Sequence, residues 1–269
     1  MHINNSVLWK IEIERKELLM IKESFIFLKG VGLQKETSLW QSGIHDWDRF
    51  RESKTLPGIT SSRRAAHERQ LHTAEKALYS SDAEYFAKLL KPAHAWRLYD
   101  SFKEDAVFLD IETTGFYGDI TVIGLYDGIE TKTFVRGFTM DKAALKKELE
   151  KYKMIITFNG ASFDLPIIEK YFQGVVPKIP HIDLRHVCSK IGLTGGLKNI
   201  ERLVGLKRAD AVANMGGADA VYLWRQWRAT GNKEFLDLLV QYNEEDIINL
   251  KPLAELAIPK VWKNTRRIT

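Results

Sequence analysis

The chain has one cysteine, Cys188, only seven prolines in 269 residues, and no apolar run long enough for a membrane span. A lone cysteine excludes an intramolecular disulfide framework, and its simplest setting is a reducing, cytoplasmic one with Cys188 as a small buried hydrophobe. Few prolines, with 45% hydrophobic and 28% charged residues, exclude extensive disorder. A zinc-type His/Cys cluster is also missing, since His67 and His72 lie five apart and do not share a helical face. Near the start, Glu12, Glu14, Arg15, Lys16 and Glu17 interrupt the apolar residues, so neither a signal peptide nor an anchor is expected. Met20 stands before Ile21-Lys22-Glu23, and residues 1–19 read as an extension of a chain that starts there. Positive charge is in excess: the net charge is +5 and the pI about 9.1, which suits an anionic partner such as nucleic acid without requiring one.

The length fits one main domain with a smaller companion. Residues 17–102 carry helical periodicity and no strand alternation, which predicts an all-α region over residues 1–100. Within it, Leu28-Lys29-Gly30-Val31-Gly32-Leu33 places two glycines one residue apart. That pattern permits a hairpin between helices whose backbone N–H groups at Gly30 and Gly32 meet a phosphate. A glycine-stopped helix packed by Trp40 and Trp47 accounts for it equally well. Ser61 or Ser62 caps a helix that begins with Arg63 and Arg64, read as a solvated face.

Beyond residue 101, residues 107–115, Ile120–Tyr126 and Thr131–Val135 predict three adjacent antiparallel strands, with Asp127-Gly128 as a turn. A helix over 141–152, a buried parallel strand over 154–159, a helix over 163–171, a strand at His181-Ile182-Asp183-Leu184 and further helices follow. This order predicts an α/β fold over 101–259, a mixed sheet flanked by helices, followed by a basic tail over 260–269.

Chemistry is concentrated in three places. In Val107-Phe108-Leu109-Asp110-Ile111-Glu112-Thr113-Thr114-Gly115, strand alternation turns Asp110 and Glu112 to one face, where two acids repel each other unless a cation joins them. In Asn159-Gly160-Ala161-Ser162-Phe163-Asp164, an acid follows a strand end, a usual position for function in α/β folds. In Tyr242-Asn243-Glu244-Glu245-Asp246, a spacing of four puts Tyr242 and Asp246 on one helical face. Each fragment alone has a structural explanation.

Together and in this order, the fragments resemble the tyrosine branch of the DEDD superfamily of 3'-5' exonucleases, which has a ribonuclease H-like fold, over residues 105–257. Within that group the chain looks most like the proofreading domain of family-B DNA polymerases and the stand-alone YprB-type ribonuclease H-like proteins. The resemblance implies two divalent cations, Mg²⁺ or Mn²⁺, held by Asp110, Glu112, Asp164 and Asp246, with Tyr242 orienting the attacking water. It also implies contacts from Thr113 and Thr114 to a 3' end.

Phe163 is read either as a wedge against a base or as core, and Asn159 either as a substrate contact or as a brace for the turn. Lys198, at a helix start after Gly195-Gly196, reads as a phosphate contact or a solvated lysine. Trp224 and Trp227 read as packing, and Asp183 as a structural carboxylate. The alternatives to a DNA or RNA exonuclease are a ribonuclease H-like endonuclease, a non-catalytic nucleic-acid-binding module, and a regulatory protein that binds a protein partner through its helical region.

Overall fold

The computed structural model describes residues 20–115 and 118–267; the proposed extension at 1–19 lies outside them. The chain forms two compact units that divide between Thr73 and Ala74.

The first unit holds α1 (Leu33–Gln41), α2 (Trp47–Glu52) and most of α3 (Ser61–Tyr79), with no strand among its described residues. Side-chain bonds to backbone fix it. The buried Glu36 carboxylate accepts from the amides of Phe25 (2.6 Å) and Ile26 (3.0 Å), and the Trp40 and Trp47 indoles donate to the carbonyls of Glu23 and Ser24, each at 2.9 Å. Such bonds satisfy turn backbone that has no helical partner. Residues 20–29 are turns and not a helix, so the Gly30 to Gly32 segment is a turn running into the start of α1 and not a hairpin between two helices. Gly30 occupies the left-handed region (φ +78°) and Gly32 caps α1. Arg64 is not a solvated cation: it donates to the carbonyls of Arg51, Ser53 and Lys54.

The second unit begins within α3 and continues through α4 (Ala83–Leu89), the 3-10 helix Pro92–Leu98 and the helical turn Tyr99–Phe102. The division therefore falls earlier than residue 100, because the aromatic side chains of this stretch pack within the second unit: Phe86 on Phe102 at 6.2 Å, Trp96 on Trp262 at 6.1 Å. The sheet and its covering helices follow as β1 (Ala106–Thr113), β2 (Ile120–Tyr126), β3 (Thr131–Val135), α5 (Lys142–Leu149), β4 (Met154–Thr157), α6 (Asp164–Tyr171), β5 (His181–Asp183), α7 (Leu184–Ser189), α8 (Leu197–Val204), α9 (Gly217–Thr230), α10 (Lys233–Ile248) and α11 (Leu250–Arg267). The order across the sheet is β3-β2-β1-β4-β5, with β1–β2 and β2–β3 antiparallel and β1–β4 and β4–β5 parallel. This is the mixed α/β architecture expected from the order of elements. Residues 260–267, read as a tail, are the last two turns of α11, with Val261 buried.

The alternation along β1 decides what each face does. Val107, Leu109 and Ile111 join Leu145, Leu149 and Ile168 from α5 and α6 in one apolar layer. On the other face, α9 and α10 supply Leu223, Trp224, Leu239 and Tyr242, packed on Val122 and Val135. Asp110 and Glu112 have the opposite parity to the first set, so they face the α10 side. A bulge between Glu112 and Thr113 breaks the β1–β2 register, a device common beside active sites. No helix among the described residues is long and apolar enough to cross a membrane.

Candidate functional site

Three carboxylates meet where β1 ends beneath α10. Asp110, Glu112 and Asp246 each place one oxygen so that all three lie within 4.8 Å of one another, Asp110 half-buried and the other two buried. Asp164, also buried, closes the group from the start of α6. The ladder between β1 and β4 stops after Phe108, and the Ile111 amide beyond it is satisfied by Asp164 Oδ1 at 3.0 Å.

Burial and mutual repulsion hold these acids in the protonated direction. Asp110 and Glu112 are raised well above the carboxylate range, by desolvation first and then by neighbouring acids. Asp164 is pushed up to about 7 by burial, against the backbone hydrogen bonds that favour its charged form. Asp246 is raised by burial and opposed by Arg208. Tyr242, turned toward the acids on α10, is raised by burial and then by Asp246, Glu112 and Asp110, so its hydroxyl keeps its proton. An all-oxygen set of acids crowded this closely fits hard divalent cations.

Four residues at the site have roles that went unread in the sequence. Asn243, fully buried, donates from Nδ2 to Asp110 Oδ2 at 2.9 Å. Gly124 makes this approach possible: it pairs with Asp110 across the β1–β2 ladder, and a Cβ there would lie 2.0 Å from Asn243 Oδ1. Gly124→Ala is therefore expected to cost about 1–3 kcal/mol of stability by overpacking and to lower activity with it, measured by denaturant unfolding and a nuclease assay. Arg208, its side chain 5% exposed, donates to Asp246 Oδ1 at 2.5 Å and to both oxygens of the buried Glu201 at 2.6 and 2.9 Å. Asn243 was visible inside the tyrosine motif. Arg208 and Glu201 carried no local signal, because their partners are set by how the loop after α8 folds over α10.

The remaining predicted residues divide. Lys198 is not solvated: its Nζ is shielded, has no hydrogen-bond partner among the described residues, and lies 4.7 Å from the centre of the Tyr242 ring. Thr113 and Thr114 spend their hydroxyls on their own loop, Thr113 donating to the Gly115 carbonyl (2.8 Å) and Thr114 accepting from the Asp119 amide (3.0 Å). Asn159 braces its turn in the left-handed region (φ +69°), its Oδ1 accepting from Arg185 (2.6 Å) and Ser162 (3.0 Å). Asp183 is structural, accepting from the amides of Asn159, Ala161 and Arg185. Phe163 does two things: it packs against the apolar layer and lines a cleft of about 410 Å³ with Glu112, Thr113, Gly115, Gly217 and Val221. Gly30 and Gly32 belong to the first unit.

Among solved structures, the family B DNA polymerase from the hyperthermophilic archaeon Pyrobaculum calidifontis is similar at 12% identity with a TM-score of 0.45, over 58% of this chain and 26% of the polymerase. No curated protein matches. Residues 107–258, which contain every acid of the site, match the RNase_H_2 family. With that match over more than half of its length, and with the mixed sheet that carries it, the chain belongs to the RNase_H superfamily, a superfamily of nucleases.

Proposed function

We propose that the protein is a metal-dependent 3'-5' exonuclease that hydrolyses the terminal phosphodiester of a DNA or RNA strand. The observation that carries this reading is the convergence of Asp110, Glu112 and Asp246 within 4.8 Å, joined by Asp164 and Tyr242. Asp110, Glu112 and Asp246 would hold one divalent cation and Asp110 with Asp164 a second. When bound, the cations supply Lewis-acid stabilisation of the phosphoryl charge and an activated water.

The chain's own residues do the rest. Asn243 fixes the Asp110 carboxylate, and Arg208 fixes that of Asp246, so neither ligand has to be ordered when substrate arrives. Tyr242 keeps its proton and orients the attacking water rather than deprotonating it. Lys198, with an uncommitted ammonium beside that ring, bonds a phosphate oxygen. The cleft walled by Phe163, Gly217 and Val221 takes the terminal nucleoside. Water oxygen bonds to phosphorus, the bond from phosphorus to the 3'-oxygen of the preceding nucleotide breaks, that oxygen takes up a proton, and a nucleoside 5'-monophosphate leaves.

Strands labelled at either end, DNA and RNA, test this with Mg²⁺, with Mn²⁺ and with chelator. The expected result is a ladder shortened from the 3' end, present only with metal and slowed about 10²-fold in Tyr242→Phe. Internal cuts on a circular substrate would replace this reading with an endonuclease.

A further inference from the structure

α9 borders the cleft with small residues at its start, and its cations stand farther along. Gly217 and Val221 line the cavity beside Glu112. Arg225 and Arg228 follow Val221 by four and seven residues, which keeps all three on one helical face. At the helical rise, Arg228 lies roughly 10 Å from Val221 along the axis. Both arginines are exposed, and neither has an acidic partner among the described residues. Arg228 sits 5.6 Å from the centre of the Trp227 ring, and Phe138, 66% exposed on the loop after β3, packs against the same ring at 5.4 Å. The exposed phenyl ring, the indole and the Arg228 guanidinium thus lie together, a surface that matches a flat, anionic ligand.

We propose that the outer turns of α9 are a track for single-stranded nucleic acid, holding the part of the substrate strand 5' of the bond that is cut. Arg225 and Arg228 bond successive phosphates, and Phe138 with the edge of Trp227 offers a stacking surface to a base. Stacking on an aromatic face is indifferent to sequence but requires an unpaired base, so the track selects single strands over duplex. Small residues beside the acids leave room for the sugar, and the cations begin where the backbone leaves the cleft. This inference rests on the nuclease reading of that cleft.

The test measures binding of the full chain in chelator, where no hydrolysis occurs, to a fluorescent 12-nucleotide single strand of DNA and of RNA. Arg225→Glu with Arg228→Glu is expected to weaken binding at least about tenfold and to lower the slope of log affinity against log salt by about 1 or more. Phe138→Ala is expected to weaken binding about threefold with no change in that slope, because stacking releases no counterions. A blunt duplex of the same length is expected to bind more weakly than the single strand.

Retention of the parent's affinity and slope by the double charge reversal, or parent binding to duplex as tight as to single strand, overturns the track. Exposed arginines tolerate substitution without unfolding, and a melting curve of the double variant confirms that. A parent that binds the strand but hydrolyses nothing with Mg²⁺ or Mn²⁺ overturns the exonuclease reading alone, and the binding measurements still decide the track.

Discussion

Asp110→Asn is expected to abolish nuclease activity, by about 10³-fold or more, while making the metal-free protein more stable. The carboxylate stands at the centre of the group: desolvation and the charges of Asp164, Asp246 and Glu112 all disfavour its ionised form, and only the Asn243 hydrogen bond favours it. Replacing it with an amide of the same shape removes a buried charge and three repulsions, and an amide oxygen still accepts from Asn243. The melting temperature should rise by a few degrees. A structural carboxylate would behave in the opposite way, losing stability with little specific effect on hydrolysis. A variant that digests a 3' end as fast as the parent would sink the proposed chemistry. One that melts well below the parent would sink the electrostatic account.

The second large effect is on stability against pH. Asp164 titrates near 3.8 in the unfolded chain and about 7 in the folded one, and Asp110, Glu112 and Asp246 are raised in the same direction. Between those values the folded site binds protons that the unfolded chain has released, so the acids' contribution to stability falls as pH rises. His94 and His181 act oppositely, because burial holds each imidazole down to about 4 against the usual 6.5, and their contribution rises with pH over that interval. Above pH 6.5 only the acids remain. The metal-free protein is expected to lose melting temperature as pH rises from 6.5 through about 7, where Asp164 ionises, and saturating Mn²⁺ should restore it by supplying the missing counter-charge. At pH 5 the same Mn²⁺ should do little, because protons already occupy the site. A melting temperature in chelator that is flat or rising from pH 6.5 through about 7 would contradict the crowding of these four acids.

The particular elements differ in how readable they were. β1 was legible because an apolar run with period-two acids allows few alternatives, and the Tyr242 to Asp246 helix because four residues are one helical turn. Lys198 was legible as a residue but not in its role, since exposure depends on whether an aromatic ring comes to lie beneath it. The turn at Asn159 read equally as contact or brace, and the bracing bond comes from Arg185, 26 residues away, which local pattern does not show. The stretch 260–267 read as a tail from its charges, but Val261 and Trp262 bury apolar surface and continue the helix. The Gly30 to Gly32 segment has the composition of a hairpin, yet Glu36 holds the preceding backbone in turns.

The sequence by itself determined the α/β order, the shared face of Asp110 and Glu112, and the shared face of Tyr242 and Asp246, because these follow from the 2.0 and 3.6 residue periods of the backbone. Only the tertiary structure decided that those two faces oppose each other. It also decided that Gly124 leaves the space through which Asn243 reaches Asp110, and that Arg208 joins Glu201 to Asp246. Asn243 and Asp110 lie 133 positions apart, and no local periodicity relates them. Their meeting is set by how α10 packs across β1 and β2, a matter of side-chain volume at contacts that the linear order does not contain.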